Sequence, residues 1–359
     1  MALKTGSVIG GYRLLRDFEG GANCRWSFAD RGGTEFFVEE FYRPKYPPDL
    51  MTGPLRDEKI RRCTLFEALH HRPGAALGRI EEAGGDVVAP VGFFRQALTY
   101  YHVAPRIEPA SLAPADVAAL PAGRRLGLLR RLSRALVALH GQRIAHGDLK
   151  PSNILIHLTP RGALRPRLID FDGAFFFGEP PDRDEMAFDQ NYVAPEILAY
   201  CGNTNVTPAG LGTTADVFSA CVLIHEYWTG RGPSLAGGLQ YAAEAAQAGA
   251  AIRVEAPGMD PPLARLLRQG LALDPAARPS IGVIDQAIEA AHWAAGATPL
   301  TLAPRDAIFP EAESSHSLAA SVTRPSAQES LDPRPTAPSR PRPYSPLIRK
   351  SKNLEPDDL

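Results

Sequence analysis

Asp148 and Asn153 stand five residues apart in His146-Gly147-Asp148-Leu149-Lys150-Pro151-Ser152-Asn153, and Asp170 follows in Ile169-Asp170-Phe171-Asp172-Gly173. A carboxylate and an amide at this spacing can orient a hydroxyl and offer an oxygen to a hard cation. Lys150, two residues beyond Asp148, can neutralise charge on a phosphoryl group in transfer. Asp148 and Lys150 are therefore candidate catalytic groups, and Asn153 and Asp170 are candidate magnesium ligands. Polar groups that converge on one buried corner cost stability unless paired or metal-bound, which favours function over inheritance for Asp148, Asn153 and Asp170. The chemistry that fits this set is phosphoryl transfer from a magnesium nucleotide.

Two kinds of element must position these residues. From 10 to 107 the pattern alternates as strands do, in YRLLRDF, RWSFAD, TEFFVEEF, VVAPVGFF and ALTYYHVAP, with one helical stretch at about 54–70. From 113 the periodicity turns helical. RRLGLLRRLSRALVALHGQ (124–142) places Leu and Ala at i, i+3, i+4 and i+7 and stops at Gly141. Short strands are expected around NILIHL and PRLIDF, and further helices near 214–229, 262–270 and 280–294. A small strand-rich lobe thus precedes a larger helical one, and a ligand is expected in the cleft between them.

With these motifs in order, the sequence resembles the protein kinase superfamily, in particular its bacterial Ser/Thr-like members, over roughly residues 11–292. The loop at 146–153 resembles H-R-D-x-K-x-x-N and Asp170-Phe171-Asp172 resembles D-F-G. Ala194-Pro195-Glu196 matches A-P-E, and ADVFSACVLIHEYWTGRGP (215–233) resembles the family's central helix. The resemblance implies a bilobal α+β kinase-like fold over 11–297, with an N-lobe at about 11–107 and a C-lobe at about 108–297. It implies ATP and Mg2+ as cofactors, Asp216 bracing the catalytic loop, and a buried pair between Glu196 and Arg278. Lys150 points to the Ser/Thr-like branch. It also implies nucleotide contacts from Gly20, Gly21, Trp26, Glu39, Tyr101, Val103, Asn153 and Asp170. A core role for Trp26 is equally open.

The upper half of that expected site departs from the family. Aligning Phe36-Phe37-Val38-Glu39 with V-A-I-K puts Glu39 where lysine attracts phosphates, with Glu67 as the candidate helix carboxylate. Two like charges about 4 Å apart repel by roughly 4 kcal/mol at an effective dielectric near 20, before relaxation and screening. The phosphate-loop pattern in EGGANCRW (19–26) retains only Gly21, with Glu19 and Cys24 in place of the outer glycines. Arg25 or Lys45 could supply the lost cation; alternatively Glu39 could pair with Lys59, Arg61 or Arg62. Gly147 replaces the arginine that meets a phosphorylated loop, which argues against that mode of activation and leaves Tyr192 as a possible loop site. Asp172 replaces glycine, either tolerated there or reaching the metal indirectly.

Composition sets the remaining bounds. Lys plus Arg number 39 against 40 Asp plus Glu, so no global field favours nucleic acid. The four cysteines, at 24, 63, 201 and 221, lack C-x-x-C spacing, against structural zinc or a disulfide framework. The start lacks a secretory apolar core, and no apolar stretch reads as a membrane span, so a cytoplasmic protein with no membrane partner is expected. Beyond 298, eleven of the 34 prolines crowd among Ser, Arg and Ala. That composition is expected to be disordered and could serve as a docking tail. Three functional readings stand at this point: a Ser/Thr protein kinase acting on a protein substrate, a pseudokinase that binds a protein partner, and a small-molecule phosphotransferase.

Overall fold

The computed structural model describes residues 3–21, 24–110, 112–159, 162–202 and 205–296. The tail expected from 298 lies outside the described residues. The N-lobe is built on an antiparallel sheet in which alternation sorts side chains onto two faces. Its strands are β1 (Val8–Ile9), β2 (Tyr12–Leu14), β3 (Glu19–Gly20), β4 (Cys24–Arg31), β5 (Thr34–Phe41), β6 (Gly92–Gln96) and β7 (Thr99–Pro105), in the order β1-β2-β4-β5-β7-β6 with β3 paired to β4. Across β4, β5 and β7, Trp26 pairs with Glu39, and Glu39 with His102, so these three share one face. Arg25, Glu40 and Tyr101 form the adjoining row and share the other.

Between β5 and β6 runs α1 (Pro54–Glu82), 29 residues long and well beyond the expected 54–70. It continues through Pro73 because its second half is buried: Ala76, Leu77 and Ile80 join the C-lobe core, and tertiary packing outweighs a helix-breaking residue. Past α1, Val88 N–H donates to Leu168 C=O and Leu168 N–H to Asp86 C=O, tying the lobes together. Asp86 also receives Arg131 and Arg165.

The C-lobe is helical: α2 (Pro114–Ala118), α3 (Ala122–Gly141), α4 (Pro195–Cys201), α5 (Thr213–Thr229), α6 (Ala242–Gln247), α7 (Pro261–Gly270) and α8 (Ile281–Ala294). The leucine face of α3 and nearly all of α5 are buried in one core. Four short strands sit toward the cleft: β8 (Ile144–Ala145), β9 (Ile154–Leu158), β10 (Leu164–Leu168) and β11 (Phe175–Phe176). A further pair, β12 (Ser234–Leu235) and β13 (Ile252–Arg253), lies beyond α5. The bilobal α+β architecture expected from the sequence is what the chain adopts.

Candidate functional site

Hairpin topology places the acidic residues. β9 and β10 pair antiparallel, ending on Ile154 opposite Leu168, and the ladder continues as Ile169 N–H donates to Asn153 C=O at 3.0 Å. Asn153 and Asp170 therefore leave adjacent strand ends side by side. β11 pairs with β8, which folds the segment after Asp170 back over the 146–148 loop. That return brings Gly147 against Gly173: a Cβ on Gly147, whose φ is +77°, would sit 2.2 Å from the Gly173 carbonyl oxygen. An arginine cannot occupy this position without moving the backbone.

Asp216, buried at the start of α5, holds the loop from below by accepting the backbone N–H groups of His146 at 2.7 Å and Gly147 at 3.0 Å. His140 Nε2 lies 3.0 Å from the same carboxylate. The second expected brace is also formed. Arg278 meets Glu196 through two bonds of 2.7 and 2.8 Å, a bidentate fit between planar groups.

Above these braces, Lys150 Nζ donates to Asp148 Oδ2 at 2.6 Å. Asn153 Nδ2 donates to the Asp148 backbone carbonyl at 2.8 Å and to Oδ2 at 3.1 Å. The amide nitrogen is engaged inside the loop, which leaves its oxygen as the group Asn153 can offer a cation. With the Asp170 carboxylate this makes a hard oxygen donor set, suited to magnesium. Asp170 has φ 64°, a left-handed conformation that aspartate tolerates better than most residues. Burial pushes the Asp148 carboxyl above its ordinary value; Lys150 pulls the other way, and Asp170 adds to the rise.

Between the lobes lies a cavity of about 480 Å³, lined by Asn153, Asp170 and Asp172 below and by Trp26, Glu39 and His102 above. Gly20 and Gly21 also line it. Gly21 N–H donates to Cys24 C=O at 2.8 Å, and a Cβ on Gly21 would approach that oxygen to 2.8 Å, so this turn requires glycine. Trp26 stacks on Phe37 with ring centroids 5.7 Å apart and lies under the Arg16 guanidinium, so it is at once packed and cavity-facing. Tyr101 and Val103 are placed elsewhere. Both are buried on the opposite face of the sheet with Ile9 and Tyr12, and Tyr101 OH bonds Glu40. The residues of β7 that line the cavity are His102, Ala104 and Pro105. The expected contacts were one residue out of register, which in a strand exchanges the faces.

The same alternation answers the question of a substitute cation. Arg25 and Lys45 both turn to Glu40, at 2.9 and 3.9 Å, away from Glu39. Among the described residues Arg106 is the only Lys or Arg lining the cavity, and it pairs with Glu35 and Glu108. Of the helix cations expected near Glu39, Arg61 and Arg62 pair instead with Glu58. Glu67 turns to Tyr100 OH at 2.6 Å, and the helix residue facing the cavity one turn on is His70.

Glu39 is instead held by Cys24 Sγ at 3.3 Å and His102 Nδ1 at 3.1 Å. Burial opposes the charged form of His102, but the bond to Glu39 and the nearby carboxylates of Asp172 and Asp170 outweigh it and raise its pKa. Ligand atoms of Glu39, His102 and Asp172 all lie within 4.8 Å of one another. His70 completes the wall, with Nε2 3.8 Å from Asp172 Oδ1. Sequence reading missed His70 and His102. The available signal for His102 was its place in β7 between Tyr101 and Val103, since alternation puts it on the face opposite theirs.

The sequence pattern of the protein kinase domain matches residues 87–292, more than half of the chain. The chain belongs to the protein kinase domain family. Among curated proteins it is similar to the serine/threonine-protein kinase pkn2 of Myxococcus xanthus, 31% identical over 175 residues, which is 48% of this chain and 19% of that protein. It is 33% identical over 108 residues to the serine/threonine-protein kinase PkaA of Streptomyces coelicolor, covering 30% of this chain and 18% of that one. The probable serine/threonine-protein kinase fhkD of Dictyostelium discoideum is 33% identical over 109 residues, 29% of this chain and 14% of that one. Each match spans less than a fifth of the relative's length. The family match begins after α1, so it takes in the C-lobe with the 146–153 loop but not strands β1 to β5. No helix among the described residues is long and apolar enough to cross a membrane.

Proposed function

We propose that residues 11–297 bind a magnesium nucleoside triphosphate in the interlobe cavity and transfer its terminal phosphoryl group to a Ser or Thr hydroxyl of a protein. The observation that carries this reading is the Asp148–Lys150–Asn153 network set beside Asp170 at one end of the cavity. Asp148 would orient the hydroxyl and accept its proton, a role its raised pKa supports. Lys150, already 2.6 Å from that carboxylate, would steady the phosphoryl oxygens. Asn153 and Asp170 would hold magnesium, which supplies charge neutralisation of the phosphates. Trp26, Gly20 and Gly21 would cover the nucleotide from above. The tail beyond 298 would serve as a docking segment for substrate or partner.

A second reading, a pseudokinase that works by binding a protein, is favoured by the upper wall of the cavity. There Glu39 is bonded to His102 and Cys24, and Arg25 and Lys45 face the other way. The kinase reading entails slow turnover, because a carboxylate stands where the resemblance places a phosphate-binding lysine.

Incubating the full chain with γ-labelled ATP, magnesium and a Ser/Thr peptide library separates the two. Phosphoryl transfer requires label on peptide that needs magnesium and falls by about a hundredfold or more in Asp148→Asn. Label that is absent at millimolar ATP, or unchanged in Asp148→Asn, overturns the kinase reading in favour of the partner-binding one.

A further inference from the structure

His70 is buried, with its side chain 8% exposed, and its ring lies against Phe93 and Phe66. Its Nδ1 is 2.8 Å from the Phe66 carbonyl, which can only accept, so the proton is on Nδ1 and Nε2 carries a lone pair. Among the described residues Nε2 has no hydrogen-bond partner. It points toward Asp172 Oδ1 at 3.8 Å, into the corner where Glu39, His102 and Asp172 converge. A buried acceptor without a donor, 3.8 Å from the Asp172 carboxylate and with its ring 6.3 Å from that of His102, is poorly explained as packing.

We propose that Glu39, His70, His102 and Asp172 form a binding site for a divalent transition metal of the zinc class, separate from the magnesium position at Asn153 and Asp170. Two imidazoles and two carboxylates are a donor set that zinc accepts in tetrahedral geometry, whereas magnesium prefers an all-oxygen shell. Ligands about 2.0–2.1 Å from zinc lie roughly 3.4 Å apart around a tetrahedron. The contacts of 3.1 Å between Glu39 and His102 and 3.8 Å between His70 and Asp172 bracket that separation. The widest spacing within the Glu39, His102 and Asp172 group, at most 4.8 Å, closes by rotation of flexible carboxylates.

Two further features fit. The Nδ1–H to Phe66 bond is the kind of outer contact that fixes the tautomer and orientation of a metal-binding histidine. The two carboxylates also neutralise a divalent charge, so the occupied site carries no net charge in a partly buried wall. The four residues come from β5, α1, β7 and the segment after Asp170, so a bound ion would cross-link the N-lobe sheet, its helix and the C-lobe. It would also set positive charge at the strand position that carries lysine in the family.

The test uses the full chain, stripped of metal by a chelator and titrated with zinc against a chromophoric competitor. The expected result is one zinc per chain, with affinity at least tenfold lower in His70→Ala and in His102→Ala. Zinc-edge X-ray absorption of the loaded wild type, expected to show imidazole nitrogen and carboxylate oxygen at about 2.0–2.2 Å, decides the matter should either variant fail to fold. Binding should survive Cys24→Ser and Asp170→Ala. Absence of saturable binding, a sulfur-containing shell, or undiminished affinity in the folded histidine variants overturns the proposal, and so does loss of zinc in Asp170→Ala. Zinc binding without nucleotide binding would remove the kinase reading alone, and the converse would remove this one alone.

Discussion

Glu39 and His102 face each other across paired strands, with a carboxylate oxygen 3.1 Å from the imidazole Nδ1, on the side of the sheet that looks into the cleft. Their neighbours Glu40 and Tyr101 bond on the other side, taking Arg25 and Lys45 with them. The period of two in a strand thus divides the lobe's charges. The face toward the cavity carries Glu39 and His102, and Arg25 and Lys45 turn to Glu40 on the face away from it. This division explains why neither Arg25 nor Lys45 meets Glu39 at the cavity wall.

Glu39→Lys should strengthen Mg-ATP binding by about tenfold, which corresponds to about 1.4 kcal/mol, because it reverses the sign of the charge facing the phosphates. Titration calorimetry on the full chain measures this. Unchanged or weaker binding in a folded Glu39→Lys chain would mean that the upper wall does not meet phosphate.

His70 and His102 should give opposite dependences of stability on pH in chelator-treated protein. Burial lowers the His70 pKa to about 4, below the value near 6.5 of the unfolded chain. Its contribution is present above pH 6.5 and declines as the pH falls toward 4. The His102 pKa is raised, so its contribution is present below pH 6.5 and disappears as the pH rises through the folded-state value. Denaturant melts of His70→Phe should gain on the wild type between pH 6.5 and 4. Those of His102→Gln should lose most near pH 5 to 6. Parallel curves for the wild type and both variants would contradict these assignments.

Arg278→Ala should destabilise the chain by about 3–5 kcal/mol, because it strands the buried Glu196 carboxylate and removes donors to Ala272, Thr214 and Leu273 carbonyls. Chemical denaturation followed by circular dichroism reads this directly. A loss below about 1 kcal/mol would show the pair to be no more than a surface contact.

Gly147→Ala combines left-handed backbone with a Cβ 2.2 Å from the Gly173 carbonyl oxygen. It should cost about 1–3 kcal/mol and displace the segment that carries Asp170, lowering both melting temperature and nucleotide affinity. Gly147→Arg, although it supplies the residue that the resemblance expects there, should be worse. A stable Gly147→Arg chain with wild-type affinity would refute the close approach of these two loops.

The helical lobe and its braces were legible because they rest on strong periodicity and on charged pairs at motif positions. The leucine stripe of α3 lies where periodicity put it, and the Asp216 anchor and the Glu196–Arg278 pair lie where the family resemblance implied. The length of α1 was not legible, since Pro73 reads as a stop, and only its burial against the C-lobe core keeps the helix going. The wall of the site opposite Asp170 was misread for a different reason. Assigning Tyr101 and Val103 rather than His102 to the cavity required the register of β7 against β5, and short-range sequence does not encode a pairing across that distance. Glu67 against His70 is the helical counterpart: one turn along α1 separates a residue bonded to Tyr100 from one that faces the cavity.

The most direct measurement is calorimetric titration of Mg-ATP into the full chain, with and without magnesium, beside Asp170→Ala. Saturable, magnesium-dependent binding that disappears in Asp170→Ala is the predicted result and would place nucleotide at Asn153 and Asp170. No heat of binding at millimolar Mg-ATP, from protein whose fold is intact by circular dichroism, would contradict a phosphoryl-transfer role for this cleft.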